Sequence, residues 1–595
     1  MVQYISKKNN IGFKKLMPKK KLLESINELW NNQYTYFILI GFIVGICTGF
    51  SNVIFHFFYS KITSLFLEPL SERNMVIFGT LIGGLILFFM TYISKKNDIL
   101  GYKFHNFIHT VSQGSGIITI KETLLKAGSQ IVSLGFGGSV GQEGPMAQLG
   151  GSIGSVIGQK IRIKKSDLKI FIACGIAGAI AATFNAPITG VLFVEEVTLL
   201  RNIKIRSFLP VVISAATATV VAGFYSGESN IFYTIDFLLL SYNELLIYAL
   251  MGLVIGLMSS LFTKMHFYIE NKFEDIFPEQ RIRPIVGGLL LGLIAFIPFG
   301  IGLEILGNGY SAIQKALSSE YTLYIALGIL ILKPIATSIT LSSGWPGGIF
   351  APAIFMGAVC GFLFGYGVEN LFFIDLIYPG ELSTSYSIVG MGTFLAAMTQ
   401  APLTSIFFTF ELTQTYQAVL PVMISSVIGT SIYRLIIGRS FESCYLKKEN
   451  IEIVQNEESN ILSNIKVSDI MRKDVVTIPE KMTLGKFIEF LPTTQLTTFP
   501  LIDENDNLSG IISVQDYRGW VLEEDLKEVI IMKDLASTQV NTVTPEESML
   551  EVLKHWDKGD MLPVVSKMGS LKIVGILARR DALIAYNKAL NDDAS

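Results

Sequence analysis

The chain has 595 residues, of which 50% are hydrophobic and only 16% are charged. This composition excludes a single soluble domain and predicts a protein with a large membrane part. The formal net charge of −2 says little about partners, because it averages a membrane part and a soluble part.

The N-terminal segment, residues 1–33, is basic and precedes the first apolar stretch. Its seven lysines are Lys7, Lys8, Lys14, Lys15, Lys19, Lys20 and Lys21. A basic flank before a first span predicts a cytoplasmic N-terminus. The alternative, a nucleic-acid-binding arm, is disfavoured because a membrane span follows directly. No cleavable signal peptide is predicted, because the first apolar stretch begins only near Tyr34.

Apolar stretches long enough to cross a bilayer recur between Tyr34 and Gly438. Examples are Tyr36–Ser51, Met75–Tyr92, Leu245–Phe262, Pro284–Phe299 and Val419–Ile437. Many are interrupted by Gly or Pro. The sequence therefore predicts an all-α, multi-pass membrane domain with broken helices over residues 34–446.

The most informative motif is Gly141-Gln142-Glu143-Gly144-Pro145, which places an acid between glycines inside long apolar sequence. A carboxylate at membrane depth is costly, so it is normally functional or paired. The glycines break the helix, and a new helix can begin at Pro145. Because a helix N-terminus attracts anions, the motif predicts an anion site with a titratable group inside it. The alternative is a tight packing turn whose Glu143 reaches an interface.

The membrane part also contains a repeat. Ala186–Thr189, followed by Glu195-Glu196, resembles Ala401–Thr404, followed by Glu411. Each copy comes after a Gly-rich break that ends in proline, and the second of these breaks is Gly347–Pro352. Two such halves predict an inverted-repeat transporter whose site lies where the halves meet. Chance similarity between two apolar helices is the alternative.

The four cysteines and five histidines form no pattern that indicates catalysis. Cys47, Cys174, Cys360 and Cys444 lack metal-ligand spacing and are interpreted as reduced packing residues. No metal site and no enzymatic activity are predicted.

Beyond residue 446 the sequence becomes polar, with a linker over residues 447–466 and then a soluble tail. The tail has two similar units, residues 467–526 and 527–590, each with a helix, two strands and a second helix. The predicted strands are Phe499–Asp503, Leu508–Ser513, Leu562–Ser566 and Ile573–Leu577. The tail is therefore predicted to be an α+β module that follows the membrane domain.

This tail resembles a tandem pair of CBS domains, which implies an adenine nucleotide site between the units. In that family, a Ser or Thr followed three residues later by Asp binds phosphate and ribose. Ser513 and Asp516 match this pattern, whereas the second unit keeps Asp581 but has Ala578 in place of the hydroxyl. The alternative is a purely structural pair that mediates dimer contacts.

The two Gly-rich breaks, the paired Ala-Pro helices and the CBS tail together resemble the CLC family of chloride channels and chloride/proton antiporters. The likeness covers about Tyr34 to Leu590, nearly the whole chain. It implies a homodimer of all-helical subunits, each with its own anion pathway.

The same resemblance implies roles for residues of both breaks. Glu143 would be the gating glutamate and proton acceptor. The anion would bind neutral backbone N–H groups, which can hold an anion without trapping it. These groups would belong to Gly141, Gln142, Gly144, Ile349 and Phe350.

Three positions depart from the antiporter pattern. Counting along the chain places Tyr102 where the family has a central Ser, so its hydroxyl would be a further anion ligand, although Gly114–Ile117 imitates that motif. Glu442 falls where the family has a central Tyr, with Tyr445 one turn later, and Val197 replaces the internal proton-transfer glutamate. A carboxylate 4 Å from chloride would repel it by about 4 kcal/mol at an effective dielectric constant of ~20. Glu442 is nevertheless a candidate inner proton site, with a solvated linker acid as the alternative.

The sequence thus predicts a chloride/proton antiporter in the inner or plasma membrane, with the N-terminus and the CBS tail in the cytoplasm. It requires no cofactor, although the CBS pair could bind adenine nucleotide as a regulatory ligand. The nearest alternative is a proton-uncoupled chloride channel of the same family. A fluoride exporter is disfavoured by Pro145 and by the CBS tail, and a CBS-regulated magnesium transporter would need a ring of pore carboxylates.

Overall fold

The architecture is described from a computed structural model. The described residues are 33–67, 76–94, 104–112, 116–198, 205–226, 232, 237–298, 301–371, 380–449, 451, 462, 465–556, 560–567 and 569–594. Almost all of the basic segment 1–33, most of the linker 447–466 and Tyr102 lie outside these ranges. The chain forms two compact units, Met1–Ile453 and Val454–Ser595.

The first unit is helical throughout its described part. Its helices are α1 Gln33–Ile62, α2 Val76–Ser94, α3 Phe104–Ser112, α4 Ile120–Gly135, α5 Glu143–Ile161, α6 Lys165–Phe184, α7 Pro187–Glu196, α8 Ile205–Ser226, α9 Leu245–Ile276, α10 Arg283–Ala295, α11 Ile301–Glu304, α12 Tyr310–Leu317, α13 Leu323–Ser342, α14 Phe350–Leu371, α15 Glu381–Thr399, α16 Pro402–Thr413, α17 Val419–Ile437 and α18 Phe441–Lys448.

Within the described ranges, seven helical stretches are long and apolar enough to cross a membrane. They are Thr35–Phe66, Asp167–Phe184, Phe208–Tyr225, Tyr242–Ile276, Leu323–Ser342, Phe350–Leu371 and Tyr416–Lys448. The prediction of an all-α, multi-pass membrane domain is therefore confirmed.

Several helix limits differ from those of the predicted apolar stretches, and two of the differences bear on the site. Helix α5 begins at Glu143 rather than at Pro145. Proline is accepted in the first turn because its missing N–H would have no intrahelical acceptor there. Helix α9 continues beyond the apolar stretch Leu245–Phe262 as far as Ile276. This extension is polar on one side, and it brings titratable residues to one end of the unit.

The predicted repeat corresponds to two matching groups of helices, α5–α6–α7 and α14–α15–α16. Helices α6 and α15 both end in a left-handed cap residue, Asn185 with φ 53° and Gln400 with φ 56°. In each group an alanine follows as N-cap, and proline then opens the next helix. The proline suits this position because its fixed φ is already helical.

Helices α7 and α16 pack against each other and cap each other reciprocally. The Glu196 carboxylate at the end of α7 accepts hydrogen bonds from Leu403 N (3.2 Å), Thr404 N (2.7 Å) and Thr404 Oγ1 (2.8 Å). The Glu411 carboxylate of α16 accepts the matching bonds from Ile188 N (2.9 Å), Thr189 N (2.8 Å) and Thr189 Oγ1 (2.6 Å). Each helix N-terminus therefore receives a negative charge from the opposite half of the repeat.

The second unit is the α+β module that the sequence predicts. Its strands are β1 Ile478–Pro479, β2 Thr498–Ile502, β3 Leu508–Ser513, β4 Met561–Val565 and β5 Ile573–Ala578. Its helices are α19 Val467–Ile470, α20 Leu484–Phe490, α21 Val514–Tyr517, α22 Met532–Leu535, α23 Met549–His555 and α24 Arg579–Ala594. Strand β2 is parallel to β1 and antiparallel to β3. Strands β4 and β5 form a separate antiparallel pair.

The two halves of this module exchange their first helices. Val467 of α19 is buried in the core that contains Met549 and Leu577, and its N–H donates to Glu547 O (3.0 Å). Met532 of α22 is buried in the other core, where its N–H donates to Met482 O (2.9 Å). Each core therefore takes a short helix from the other half of the tail sequence.

The reciprocal caps generate a prediction about stability. Glu196→Ala or Glu411→Ala leaves two backbone N–H groups of the facing helix without their acceptor. Each substitution should lower the free energy of unfolding by roughly 1–3 kcal/mol. The thermal denaturation midpoint in detergent should therefore fall for both variants. Glu195→Ala is the matched control, because Glu195 is exposed at the neighbouring position. Equal midpoints for the Glu196, Glu411 and Glu195 variants would show that the caps contribute no stability.

Candidate functional site

The two Gly-rich breaks meet in the interior of the membrane unit. Gly141 N donates to Gly348 O and Gly348 N donates to Gly141 O, each at 2.7 Å, which forms a short antiparallel bridge. The N-termini of α5 and α14 are thus held side by side. Two such termini place several unpaired N–H groups and two positive dipole ends around one point.

This close approach requires glycine. A Cβ on Gly348 would lie 2.8 Å from Glu143 Oε2 and 3.1 Å from Gly144 N, and a Cβ on Gly347 would overlap the Val140 side chain. The bridge is fixed from a third side by Gln130, whose Nε2 donates to Gly141 O at 2.7 Å. The backbone at the bridge therefore has little freedom to move.

The Glu143 carboxylate lies beside this bridge rather than outside it. The side chain is 1% exposed, and its oxygens lie against the backbone of Gly141 and Gly348. Neither oxygen makes a hydrogen bond of ordinary geometry to a described residue, although the Ala351 N–H lies nearby. The acid occupies the place where the paired N-termini would bind an anion.

One side of the site is closed by aromatic rings. Phe193 of α7 lies 5.3 Å from the Phe350 ring and 6.1 Å from the Phe104 ring, measured between centroids. Phe104 opens α3 and also packs against Gly144, where a Cβ would lie 3.6 Å from Phe104 Cβ. The three rings therefore form an apolar collar on this side of the site.

Other polar atoms around the same bridge are buried and make no hydrogen bond of ordinary geometry to a described residue, although Tyr310 and Gln142 lie close enough to interact with each other. These atoms are Gln130 Oε1, Ser133 Oγ, Gln142 Oε1 and Tyr310 Oη. Buried polar groups normally have partners, and water or an anion supplies them where protein does not. These atoms add polar groups to a site that also has an aromatic collar.

A buried lysine near the bridge was missed by the sequence reasoning. Lys333 of α13 is fully buried, and its Nζ donates to Ile305 O (2.9 Å) and Gly307 O (3.1 Å). Gly307 N in turn donates to Gly137 O (3.3 Å), just before the Glu143 motif. The signal for Lys333 was a single lysine in an otherwise apolar helix, which is normally functional or paired.

The structure brings four of the predicted anion ligands to the two paired N-termini. The fifth prediction, the Gly141 N–H, is wrong for this structure because that group already donates to Gly348 O. Gln142 is the N-cap of α5 and Gly144 lies in its first turn, while Ile349 precedes Phe350, the first residue of α14. Their N–H groups belong to first turns, where intrahelical acceptors are lacking. Tyr102 lies outside the described residues, so its predicted role stays a prediction.

Glu442 and Tyr445 share the buried face of α18. The Tyr445 ring stacks on His105 of α3, with centroids 4.9 Å apart and planes 9° apart. Its hydroxyl lies 2.7 Å from His266 Nε2 on α9. Val197 is buried at the end of α7. Neither histidine was a predicted site residue, because the two are far apart in sequence and match no motif.

In the second unit, both predicted nucleotide-binding acids already have protein partners. Asp516 Oδ2 accepts hydrogen bonds from Ser513 N and Ser513 Oγ, both at 2.7 Å, and so caps α21. Asp581 forms a two-point ion pair with Arg472, at 2.6 Å and 2.7 Å. Asp581 raises the pKa of the Arg472 guanidinium. A ribose at the second acid would have to share it with Arg472.

Comparison with known proteins identifies the family. Residues 86–434, more than half of the chain, match the model of the voltage-gated chloride channel family, and residues 467–523 and 532–588 match the CBS domain. The chain belongs to the voltage-gated chloride channel (CLC) family. The CBS matches agree with the resemblance seen in the tail sequence.

Individual CLC relatives cover most of the chain. A ClcB-like chloride channel protein of Ralstonia nicotianae is 32% identical over 359 residues, which is 59% of this chain and 80% of the relative. The H⁺/Cl⁻ exchange transporter ClcA of Yersinia pseudotuberculosis is 28% identical over 442 residues, or 71% and 90% of the two chains. A eukaryotic CLC transporter of known structure shares the fold over 93% of this chain and 98% of its own, with a TM-score of 0.61 and 18% identity.

The CLC site generates a prediction about Gly348. In Gly348→Ala the new methyl group would press on the Glu143 carboxylate and on Gly144 N, so neither the acid nor an anion could lie against the bridge. Chloride efflux from proteoliposomes should fall at least about tenfold, the size of effect that small misplacements at a site can have. Gly367→Ala in the same helix is the matched control, because a Cβ there meets nothing within 4 Å. Similar flux in the two variants would contradict this geometry.

Proposed function

We propose that the protein exchanges chloride for protons across the membrane. The observation that carries this proposal is the buried Glu143 carboxylate, which lies at the paired N-termini of α5 and α14, where an anion would bind. A carboxylate and a chloride at one site exclude each other while the acid is charged. Relatives named as H⁺/Cl⁻ exchange transporters support this proposal.

Competition for one site couples the two ions. Two like charges 4 Å apart repel by about 4 kcal/mol at an effective dielectric constant of ~20. Chloride therefore binds when Glu143 has taken up a proton or has turned away, and charged Glu143 returns when chloride leaves. The dipoles of both helix N-termini stabilise whichever negative charge is present.

The anion is held by neutral groups. Its proposed ligands are the backbone N–H groups of Gln142, Gly144, Ile349 and Phe350, because the N–H of Gly141 already donates to Gly348 O. The hydroxyl of Tyr102 is proposed as a further donor in place of the family's central Ser. Neutral dipoles suit transport, because binding must be strong enough for entry and weak enough for release.

The inner proton site is proposed to be Glu442. Val197 carries no proton at the position of the family's internal glutamate, so another group must do so in an antiporter. Glu442 is 4% exposed and lies on the same helix face as Tyr445. A buried carboxyl close to the inner end of the unit has the chemistry that this role requires.

A proton-uncoupled chloride channel is the second candidate function, and Val197 is the observation that favours it. A channel needs the anion site and the Glu143 gate but no inner proton donor. Neither candidate is an enzyme, and neither requires a cofactor.

Assembly and regulation complete the proposal. The unit is proposed to work as a homodimer, with one anion pathway per subunit. The N-terminus and the CBS pair are proposed to lie in the cytoplasm, where adenine nucleotide would bind at Ser513, Asp516 and Asp581. In the alternative, the CBS pair binds no nucleotide and only mediates contacts between the two subunits.

The first test concerns Glu143. Glu143→Gln removes the exchangeable proton but keeps the size of the side chain, so proton flux should disappear while chloride flux remains measurable. The measurement is proton and chloride movement in proteoliposomes under a chloride gradient, followed with a pH electrode and a chloride electrode. Glu195→Gln serves as the control, because the Glu195 side chain is exposed.

Two results would overturn parts of this proposal. Intact proton flux in Glu143→Gln would exclude Glu143 as the proton acceptor. Chloride flux without any proton flux in the unchanged protein would exclude antiport and leave the channel.

A second test concerns the nucleotide site. Asp516→Asn removes a charge-assisted acceptor for the ribose, so the affinity for ATP, ADP or AMP should fall at least about tenfold. Calorimetry on the full-length protein in detergent measures it. Asp534→Asn is the matched control, because Asp534 caps α22 as Asp516 caps α21. No heat with any of the three nucleotides would leave only the structural role of the tail.

A further inference from the structure

The loop between α4 and α5, residues 136–142, determines where the first of the two paired N-termini lies. It contains Gly141, which forms the bridge to Gly348, and it ends directly before Glu143. Helix α4 holds the end of this loop through Gln130, whose Nε2 donates to Gly141 O at 2.7 Å. A displacement of the loop would therefore move the N–H groups of α5 relative to those of α14.

Two threonines of α13 hold the same loop from the other half of the repeat. Ser139 Oγ lies 3.1 Å from Thr337 Oγ1, and Ser139 N donates to Thr340 Oγ1 at 3.2 Å. Thr340 Oγ1 donates its own proton to Ala336 O at 2.6 Å, so its lone pairs are available to the Ser139 N–H. The three side chains are completely buried, and the two threonines lie one turn apart on one face of α13.

A third contact from the same face of α13 reaches the start of the loop. Lys333 lies one turn before Thr337, and its Nζ donates to two backbone carbonyl groups, one of which belongs to Gly307. Gly307 N donates in turn to Gly137 O at 3.3 Å. Helix α13 therefore holds the loop directly at Ser139 and through Gly307 at Gly137.

The repeat makes this arrangement more than a local packing contact. Gln130 occupies in α4 the position that Thr337 occupies in α13, at equal distances before Gly141 and Gly348. Gln130 binds the break that follows its own helix, whereas Thr337 binds the loop of the opposite break. Loop 136–142 is thus held by both halves of the repeat at once.

We infer that Thr337 and Thr340 are positioning residues for the anion site, and that their hydroxyl groups fix loop 136–142 so that the N-termini of α5 and α14 face one bound anion. Both act through Ser139 rather than on the anion. An anion bound by several neutral N–H groups needs all of them at hydrogen-bond distance together, so a small displacement of one terminus weakens binding. The inference rests on the proposed function, because it takes chloride as the anion of this site, and it holds for an antiporter and a channel alike.

The same hydrogen bonds could serve only to pack α13 against the loop. A purely structural role would lower the stability of the protein, while the folded protein would bind chloride as before. A positioning role changes the affinity of the folded protein for chloride. Affinity and stability must therefore be measured on the same variants.

The experiment measures chloride binding to the full-length protein in detergent by calorimetry, and the thermal denaturation midpoint beside it. Thr337→Val and Thr340→Val remove the hydroxyl group but keep the branched shape. The dissociation constant for chloride should rise at least about tenfold when the two are combined, because the loop is then free to shift. Thr337→Ser and Thr340→Ser keep the hydroxyl group and remove only a methyl group, so their affinity should stay unchanged.

Two further variants make the test specific. Ser338→Ala is the matched control, because Ser338 lies between the two threonines and its hydroxyl donates to Pro334 O of its own helix. It should bind chloride like the unchanged protein. Ser139→Ala removes the other partner of the Thr337 bond, so its effect on affinity and that of Thr337→Val should not add when they are combined.

The outcomes distinguish this inference from the proposed function. If the unchanged protein binds no chloride, the proposed function is wrong and the inference falls with it. If it binds chloride and the valine variants bind it equally tightly, only the positioning role is wrong, whether or not their midpoints fall. Equal losses of affinity in the serine and valine variants would assign the effect to packing and would also overturn the inference. Where the double valine variant does not fold, the single variants decide in the same way.

Discussion

The paired hydrogen bonds between Gly141 and Gly348 are the constraint on which the rest of the site depends. They hold two helix N-termini together in the interior of the unit, where unpaired N–H groups are costly unless something negative satisfies them. The Glu143 carboxylate lies against these termini and answers that need with its charge, although neither of its oxygens makes a hydrogen bond of ordinary geometry to a described residue. A bound chloride would supply the negative charge from outside the chain. The same unpaired N–H groups can therefore face either the carboxylate or a chloride.

The surrounding structure keeps these termini in register. Lys333 binds the carbonyl groups of Ile305 and Gly307, and Gly307 contacts the loop that leads to the Glu143 motif. A buried cation is expensive to place in an apolar unit, and here two carbonyl oxygens and the face of Phe355 surround it. This lysine therefore acts through the backbone rather than on the anion.

Much of the fold could be read from the sequence, because apolar length and Gly-Pro breaks are local signals. The Glu143 motif and the second break were recognisable for that reason, and the four predicted strands of the tail fell within a residue of their predicted limits, whereas the two-residue strand β1 was not predicted. Contacts between distant segments left no local signal. The pairing of Arg472 with Asp581 and the meeting of His105 and His266 at Tyr445 depend on how helices pack. The start of α5 was predicted two residues too late, at Pro145 instead of Glu143. Proline is accepted throughout the first turn of a helix, so Pro145 did not mark the first helical residue.

The reciprocal caps between α7 and α16 limit how this protein can alternate between its two faces. A transporter whose halves rock against each other must let the surfaces between them slide or part. Here each half holds the other's helix terminus by three hydrogen bonds, so parting them would expose four backbone N–H groups and two carboxylates at once. Separating α7 from α16 is therefore costly, and this contact favours a cycle in which side chains move while these two helices stay together.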